Sequence, residues 1–141
     1  MATKSLSFWI DGEAVPKQSF RVGKGGGYTP ARVKAWQAQV AAAAQMRMIE
    51  LGLEPLTETV RISLIFILPN YRPKDSDNLS KAVLDGMNGI VFEDDHQCYD
   101  LRVRKIVSQL YTSCVYVHIS ETTEEEILSS FIRDSKEWET A

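Results

Sequence analysis

Apolar and polar residues alternate in four stretches of the chain and recur at spacings of three and four in three others. In SLSFWI, residues 5–10, Leu6, Phe8 and Ile10 alternate with different neighbours, which predicts a first strand. In TETVRISLIFIL, residues 57–68, Val60, Ile62, Leu64, Phe66 and Leu68 fall on one face. Ile65 and Ile67 make its last part apolar on both faces, as in a central strand. Leu101, Val103 and Lys105 alternate with Arg102, Arg104 and Ile106 in a third candidate. Val115, Val117 and Ile119 share a face in a fourth, and Thr112-Ser113 suits a hairpin turn between the two. Helical spacing links Val33, Trp36, Val40, Ala44, Met48 and Leu51, after Thr29 as a cap and Pro30 as first helical residue, with Gly52 as the stop. It links Leu79, Ala82, Val83, Gly86 and Met87 in a second helix, which Asp77 can cap. In a third helix it links Ile127, Leu128, Phe131, Ile132 and Trp138, opened by a capping box of Thr123 and Glu126.

The predicted order is β-α-β-α-β-β-α: an α+β fold, a two-layer mixed sheet of about four or five strands with helices packed on it. Residues 1–120 read as the main domain and 121–141 as an acidic helical extension. After the Asp11-Gly12 turn, VPKQSFRVGKGGGYTP reads as a loop, because Gly23, Gly25, Gly26 and Gly27 cannot support a stable element on their own.

Charge alters this picture more than composition does. The 141 residues carry a net −3, but 121–141 alone carry −5, so the remainder is +2. Lys4, Lys17, Arg21, Lys24, Arg32 and Lys34 lie in residues 1–36 against only Asp11 and Glu13, and such local fields direct partner choice more than the total does. The glycine-rich loop can lie against phosphates through Lys17, Arg21, Lys24 and its backbone N–H groups, or it can be a hairpin with solvated lysines. Arg32 and Lys34 could extend the basic surface. It is not a Walker A loop. The two cysteines, Cys98 and Cys114, form no paired framework, which fits a reducing cytoplasm and argues against structural zinc. The apolar runs Phe8–Ile10 and Leu64–Leu68 are too short for a signal peptide or a membrane span.

The densest chemistry lies in PNYRPKDSDNLSKAVLDGMNGIVFEDDHQ, residues 69–97. Crowded carboxylates raise one another's pKa, and a divalent cation removes that conflict. In an extended segment Asp75 and Asp77 point the same way. Lys81 follows Asp77 by one helical turn, and Asp95 returns after the second helix. Such an all-oxygen set suits Mg²⁺ and phosphodiester hydrolysis, with Asp75, Asp77 and Asp95 as ligands and Lys81 offsetting charge on the phosphorane or leaving oxygen. Asp94 could be a ligand or an outer partner, and Asn78 could orient a carboxylate or a phosphate. Blander readings use the same residues. Asp77 can be only a cap, Lys81 can only pair with Asp85, and Glu93-Asp94-Asp95 can be a solvated turn. The segment is not an EF-hand loop. A phosphatase of the DxD kind, with Asp75 as nucleophile, would want the motif straight off a strand, and here PNYRPK intervenes.

RPKDSDNLSKAVLDGMNGIVFEDDHQ resembles the RusA-type Holliday junction resolvases of bacteria and their phages. The resemblance rests on Asp75-Ser-Asp77-Asn78-Leu-Ser-Lys81, Asp85, and Asp94-Asp95, in that order and spacing. Weaker similarity reaches the opening strand, the basic loop and Lys105; residues 121–141 and the triple glycine lie outside it. The resemblance implies a homodimeric, Mg²⁺-dependent endodeoxyribonuclease, with Mn²⁺ able to substitute, that places paired nicks across a four-way DNA junction in recombination and repair. It further implies that residues 1–120 form the nuclease domain, that Asp75, Asp77 and Asp95 are the metal-binding catalytic acids with Asp94 assisting, and that Lys81 is the essential lysine. Lys17, Arg21, Lys24, Arg32, Arg72, Lys74, Asn78 and Lys105 become the DNA-binding candidates, with action in a bacterial or phage-infected cytoplasm and no membrane partner. Two other readings stay open: a branched-DNA-binding module without cleavage, and a small-molecule phosphohydrolase using the same acids.

Overall fold

The computed structural model describes residues 3–17, 21–23, 26–28 and 30–140, with side chains described for 3–17 and 30–136. The elements run β1 (Ser5–Asp11), β2 (Arg21–Gly23), β3 (Gly26–Tyr28), α1 (Ala31–Leu51), β4 (Val60–Leu68), α2 (Ser76–Met87), a 3-10 turn (Asp95–Gln97), β5 (Cys98–Val107), β6 (Cys114–Glu121) and α3 (Glu124–Thr140). The architecture is the expected α+β one, a mixed four-stranded sheet in the order β1-β6-β4-β5. β4 runs antiparallel to β6 and parallel to β5, so α2 lies on the crossover between two parallel strands.

The alternation in the sequence becomes one buried face. Phe8, Val117, Leu64 and Val103 lie side by side across the four strands. Val60, Ile62, Leu64, Phe66 and Leu68 of β4 are all buried, as are Leu6, Phe8 and Ile10 of β1 and Val115, Val117 and Ile119 of β6. α1 and α2 cover this face with Trp36, Val40, Ala44, Met48, Leu79, Ala82, Val83 and Met87. Each large side chain so buried contributes roughly 1.5–3 kcal/mol. The two helices meet where α2 has no side chain: a Cβ on Gly86 would fall 2.8 Å from Val40 Cβ and 3.0 Å from the Gln37 carbonyl oxygen. α1 stops at Gly52, whose left-handed φ of 62° closes the helix by N–H donation to the Ile49 and Met48 carbonyls.

Four local expectations change. β5 and β6 form no hairpin: β4 lies between them, and residues 108–113 pass over its end. Pro30 flanks α1, which begins at Ala31, and Thr29 lies outside the described residues. Asp75, not Asp77, occupies the flanking position of α2. Within the glycine-rich stretch, Arg21–Gly23 and Gly26–Tyr28 pair antiparallel, because each short strand supplies the ladder partner the other lacks. The capping bond of α3 forms as expected, from Glu126 N–H to Thr123 Oγ1 at 3.1 Å. Its apolar residues Leu128, Phe131 and Ile132 remain exposed, and Trp138 falls outside the described side chains. No helix among the described residues is long and apolar enough to cross a membrane.

Candidate active site

β4 ends at Leu68, and Pro69 closes it by removing a ladder donor. The chain then reaches Asp75, whose carbonyl accepts from Leu79 N–H at 2.9 Å to start α2. The Asp75 carboxylate makes no cap bond and is exposed. Asp77 lies in the first turn of the helix, where a negative charge meets the positive end of the helix dipole. The two acids are therefore not presented by one extended segment. Asp75 precedes the helix and Asp77 is in it.

The acidic turn is anchored by a residue that the sequence pattern did not single out. Gln97 is buried; its Nε2 donates to the carbonyls of Leu56 at 2.9 Å and Glu58 at 3.0 Å, and its Oε1 accepts from Asp94 N–H at 2.9 Å. This ties the turn to the segment leading into β4. The Asp94 oxygens are both engaged locally, Oδ1 by Asp95 N–H at 2.7 Å and Oδ2 by His96 Nδ1 at 2.9 Å. The imidazole beside it holds the Asp94 carboxyl below its ordinary value. Asp94 thus shapes the turn that carries Asp95.

Asp95 Oδ2 lies 3.1 Å from Lys81 Nζ, and Lys81 Nζ lies 3.2 Å from Asp85 Oδ1. The hydrogen bond to Asp95 raises the Lys81 pKa, burial opposes the shift, and Asp85 adds to it. These contacts favour Lys81 as an ammonium ion that can donate to an anion. Asp85 also binds Lys17, Nζ to Oδ2 at 2.5 Å, and receives a longer bond from Gln37 Nε2 at 3.5 Å. Beside this chain, Lys74, Asp75, Asn78 and Lys105 line one cleft together with Pro16 and Pro73. Lys105 Nζ donates to the Lys74 carbonyl at 2.9 Å, and Lys74 Nζ pairs with Glu13 at 2.8 Å.

Among the DNA-binding candidates, Lys74, Asn78 and Lys105 come together at Asp75, whereas Lys17 is turned inward onto Asp85. Arg32 and Arg72 are exposed and stand outside both groups, and Arg21 and Lys24 fall outside the described side chains. A separate groove between β1 and α1, lined by Trp9, Gln39, Met46, Arg47 and Tyr116, lies at the sheet edge opposite β5.

The donors near Asp95 are hard oxygens, but no three His, Cys, Asp or Glu side chains among the described residues converge into a ready metal cage. The set still fits Mg²⁺ as that ion is ordinarily held, by one or two carboxylates with waters and phosphate oxygens completing the octahedron. Two comparisons bear on the chain. A family model described as Endodeoxyribonuclease RusA matches residues 11–120. No curated protein matches it.

Proposed function

Since the chain belongs to the RusA family of endodeoxyribonucleases, we propose that it is a Mg²⁺-dependent nuclease that resolves four-way DNA junctions by paired nicks. The observation that carries this is the Lys81–Asp95 contact, 3.1 Å across fourteen residues, which joins the acidic turn to the helix bearing Asp77. In this reading Asp75, Asp77 and Asp95 would hold the metal. When bound, the ion supplies Lewis-acid polarisation of the scissile phosphate and a more acidic water. Lys81, kept protonated, donates to the oxygen on which charge develops. Asp94 would hold the turn that carries Asp95. Asn78, Lys74 and Lys105, beside Asp75, take the flanking phosphates, and Arg72 and Arg32 widen the basic surface.

Two symmetric nicks need two sites, and a two-fold dimer supplies them. The extension at 121–141 carries Glu124, Glu125 and Glu126, which would repel DNA, and exposed Leu128, Phe131 and Ile132. Both features support its placement at a contact between copies rather than at the junction. A truncation at residue 120 is expected to shift the protein toward monomer in sedimentation; an unchanged dimer would remove this part.

The deciding experiment presents a synthetic four-way junction and a linear duplex of the same arms to the protein with Mg²⁺, alongside Asp77→Asn. Paired nicks on the junction alone, lost in the variant while binding remains, are expected. Binding without nicks in Mg²⁺ or Mn²⁺ would leave a branched-DNA-binding module. Hydrolysis of free phosphomonoesters with DNA ignored would point to a small-molecule phosphohydrolase.

A further inference from the structure

Lys17 is fastened to α2 at two points. Its backbone N–H donates to the Asn78 carbonyl at 2.8 Å, and its ammonium reaches Asp85 at 2.5 Å, two helical turns further on. Asp85 is mostly buried and divides its oxygens, Oδ2 to Lys17 and Gln37, Oδ1 to Lys81. Gln37 gets this close because the next residue, Gly86, lets α1 approach the α2 backbone. Lys81 itself is half exposed, so acceptors rather than packing fix its ammonium, and those acceptors are Asp85 and Asp95. A lysine paired only with Asp95 could follow that carboxylate wherever the turn moved. With Asp85 as a second acceptor on its own helix, it is held over α2.

We propose that Asp85 is a positioning residue, which holds Lys81 against Asp95 and fastens the segment that ends at Lys17 alongside α2 through one shared carboxylate. The inference rests on the nuclease reading for its effect on cleavage, though not for the fastening itself. Without this carboxylate the two ammonium groups face each other with no charge between them, and like charges that close repel. Lys81 then moves off the line to Asp95, and the Lys17 segment loosens from α2. Lys17 consequently serves the site from within rather than as a contact to DNA.

The test uses the full chain and three variants, Asp85→Asn, Asp85→Glu and Lys17→Met, with single-turnover cleavage of a four-way junction at saturating protein and Mg²⁺, and junction affinity in metal-free buffer. Asp85→Asn should lower the cleavage rate by about 10- to 100-fold, the usual scale for a partner that orients a site group, while junction affinity holds. Asp85→Glu should recover part of the rate, and Lys17→Met should lose less than Asp85→Asn. Asp85→Asn cutting at the wild-type rate would overturn the proposal, as would rate and affinity falling together with the folded fraction. If the wild-type protein cuts no DNA, the nuclease reading fails, and hydrogen exchange decides the fastening. Faster exchange at Lys17 in Asp85→Asn supports it, and unchanged exchange overturns it.

Discussion

α1 and α2 lie against each other over the same face of the sheet, yet they do different work. α1 buries Val33, Trp36, Val40, Ala44 and Met48, and its remaining surface is mostly alanine and uncharged polar side chains. α2 is little more than half as long. It buries Leu79, Ala82, Val83 and Met87 on one side and carries Asp77, Lys81 and Asp85 away from that side. On α2, the main packed stripe and the charged side chains therefore occupy different faces of one cylinder. Substitutions should separate stability from activity according to the face they touch.

The largest effect is expected in the core contributed by α1. Trp36→Ala should cost about 3–5 kcal/mol, the scale for deleting a buried aromatic, measured by urea unfolding. Trp36→Phe should cost far less. Trp36 is buried, but its indole N–H has no hydrogen-bond partner among the described residues, so phenylalanine also removes a poorly satisfied donor. Equal costs for the two variants would mean that the donor is satisfied in solution. On the charged face of α2 the balance reverses. Lys81→Met should slow junction cleavage by roughly 10²- to 10³-fold, as for loss of a charge-stabilising donor. It should change unfolding stability by less than about 1 kcal/mol, because half-exposed ion pairs are screened by water. A stability loss as large as that of Trp36→Ala would erase the distinction between the two faces.

The sequence made the packed faces legible and the charged network only in part. Alternation in 60–68 and the stripe from Val33 to Met48 are local patterns, and every position they assigned to the core from Val33 to Met48 is buried. Leu51, beyond the last buried turn, is exposed. Asp75, Asp77, Lys81 and Asp95 stood out because they crowd into a short stretch. Lys17 and Asp85 are 68 residues apart, and no periodicity couples them. Gln97 looked like an ordinary polar residue, although its amide ties the acidic turn to the lead-in of β4. Strand order was hidden for a similar reason: β5 and β6 are consecutive, and only the long-range demand of β4 for two partners sets them apart.

Cys98 stands between the two kinds of region, at the start of β5 directly after the acidic turn. Burial pushes its thiol up to about 11. At pH 8 it should hold roughly 100-fold less thiolate than an unperturbed cysteine and react correspondingly slowly with alkylating reagents. Its rate should climb with pH until the thiol titrates. Because the folded pKa exceeds the unfolded one, the stability Cys98 contributes is complete below the unfolded value and declines as pH rises toward 11. Rapid alkylation at pH 8, read by mass spectrometry, would show that the turn opens readily from the core beneath it.

The smallest effect falls where the two helices touch. Gly86→Ala should gain about 1 kcal/mol in helix propensity. Against this, the new methyl would lie 2.8 Å from Val40 Cβ and 3.0 Å from the Gln37 carbonyl, and neither a β-branched side chain nor a backbone oxygen can move aside cheaply. Overpacking of this kind costs about 1–3 kcal/mol, so a net loss of about 1 kcal/mol is expected in urea unfolding. The same methyl would push α1 away from α2 and lengthen the Gln37 bond to Asp85. Cleavage should then fall modestly while Lys81 and Asp95 stay chemically intact. Val40→Ala in the Gly86→Ala background relieves the Val40 contact but leaves the Gln37 carbonyl, and should restore part of both losses. Recovery of stability without any recovery of rate would mean that the packed interface and the charged rim of α2 are independent after all.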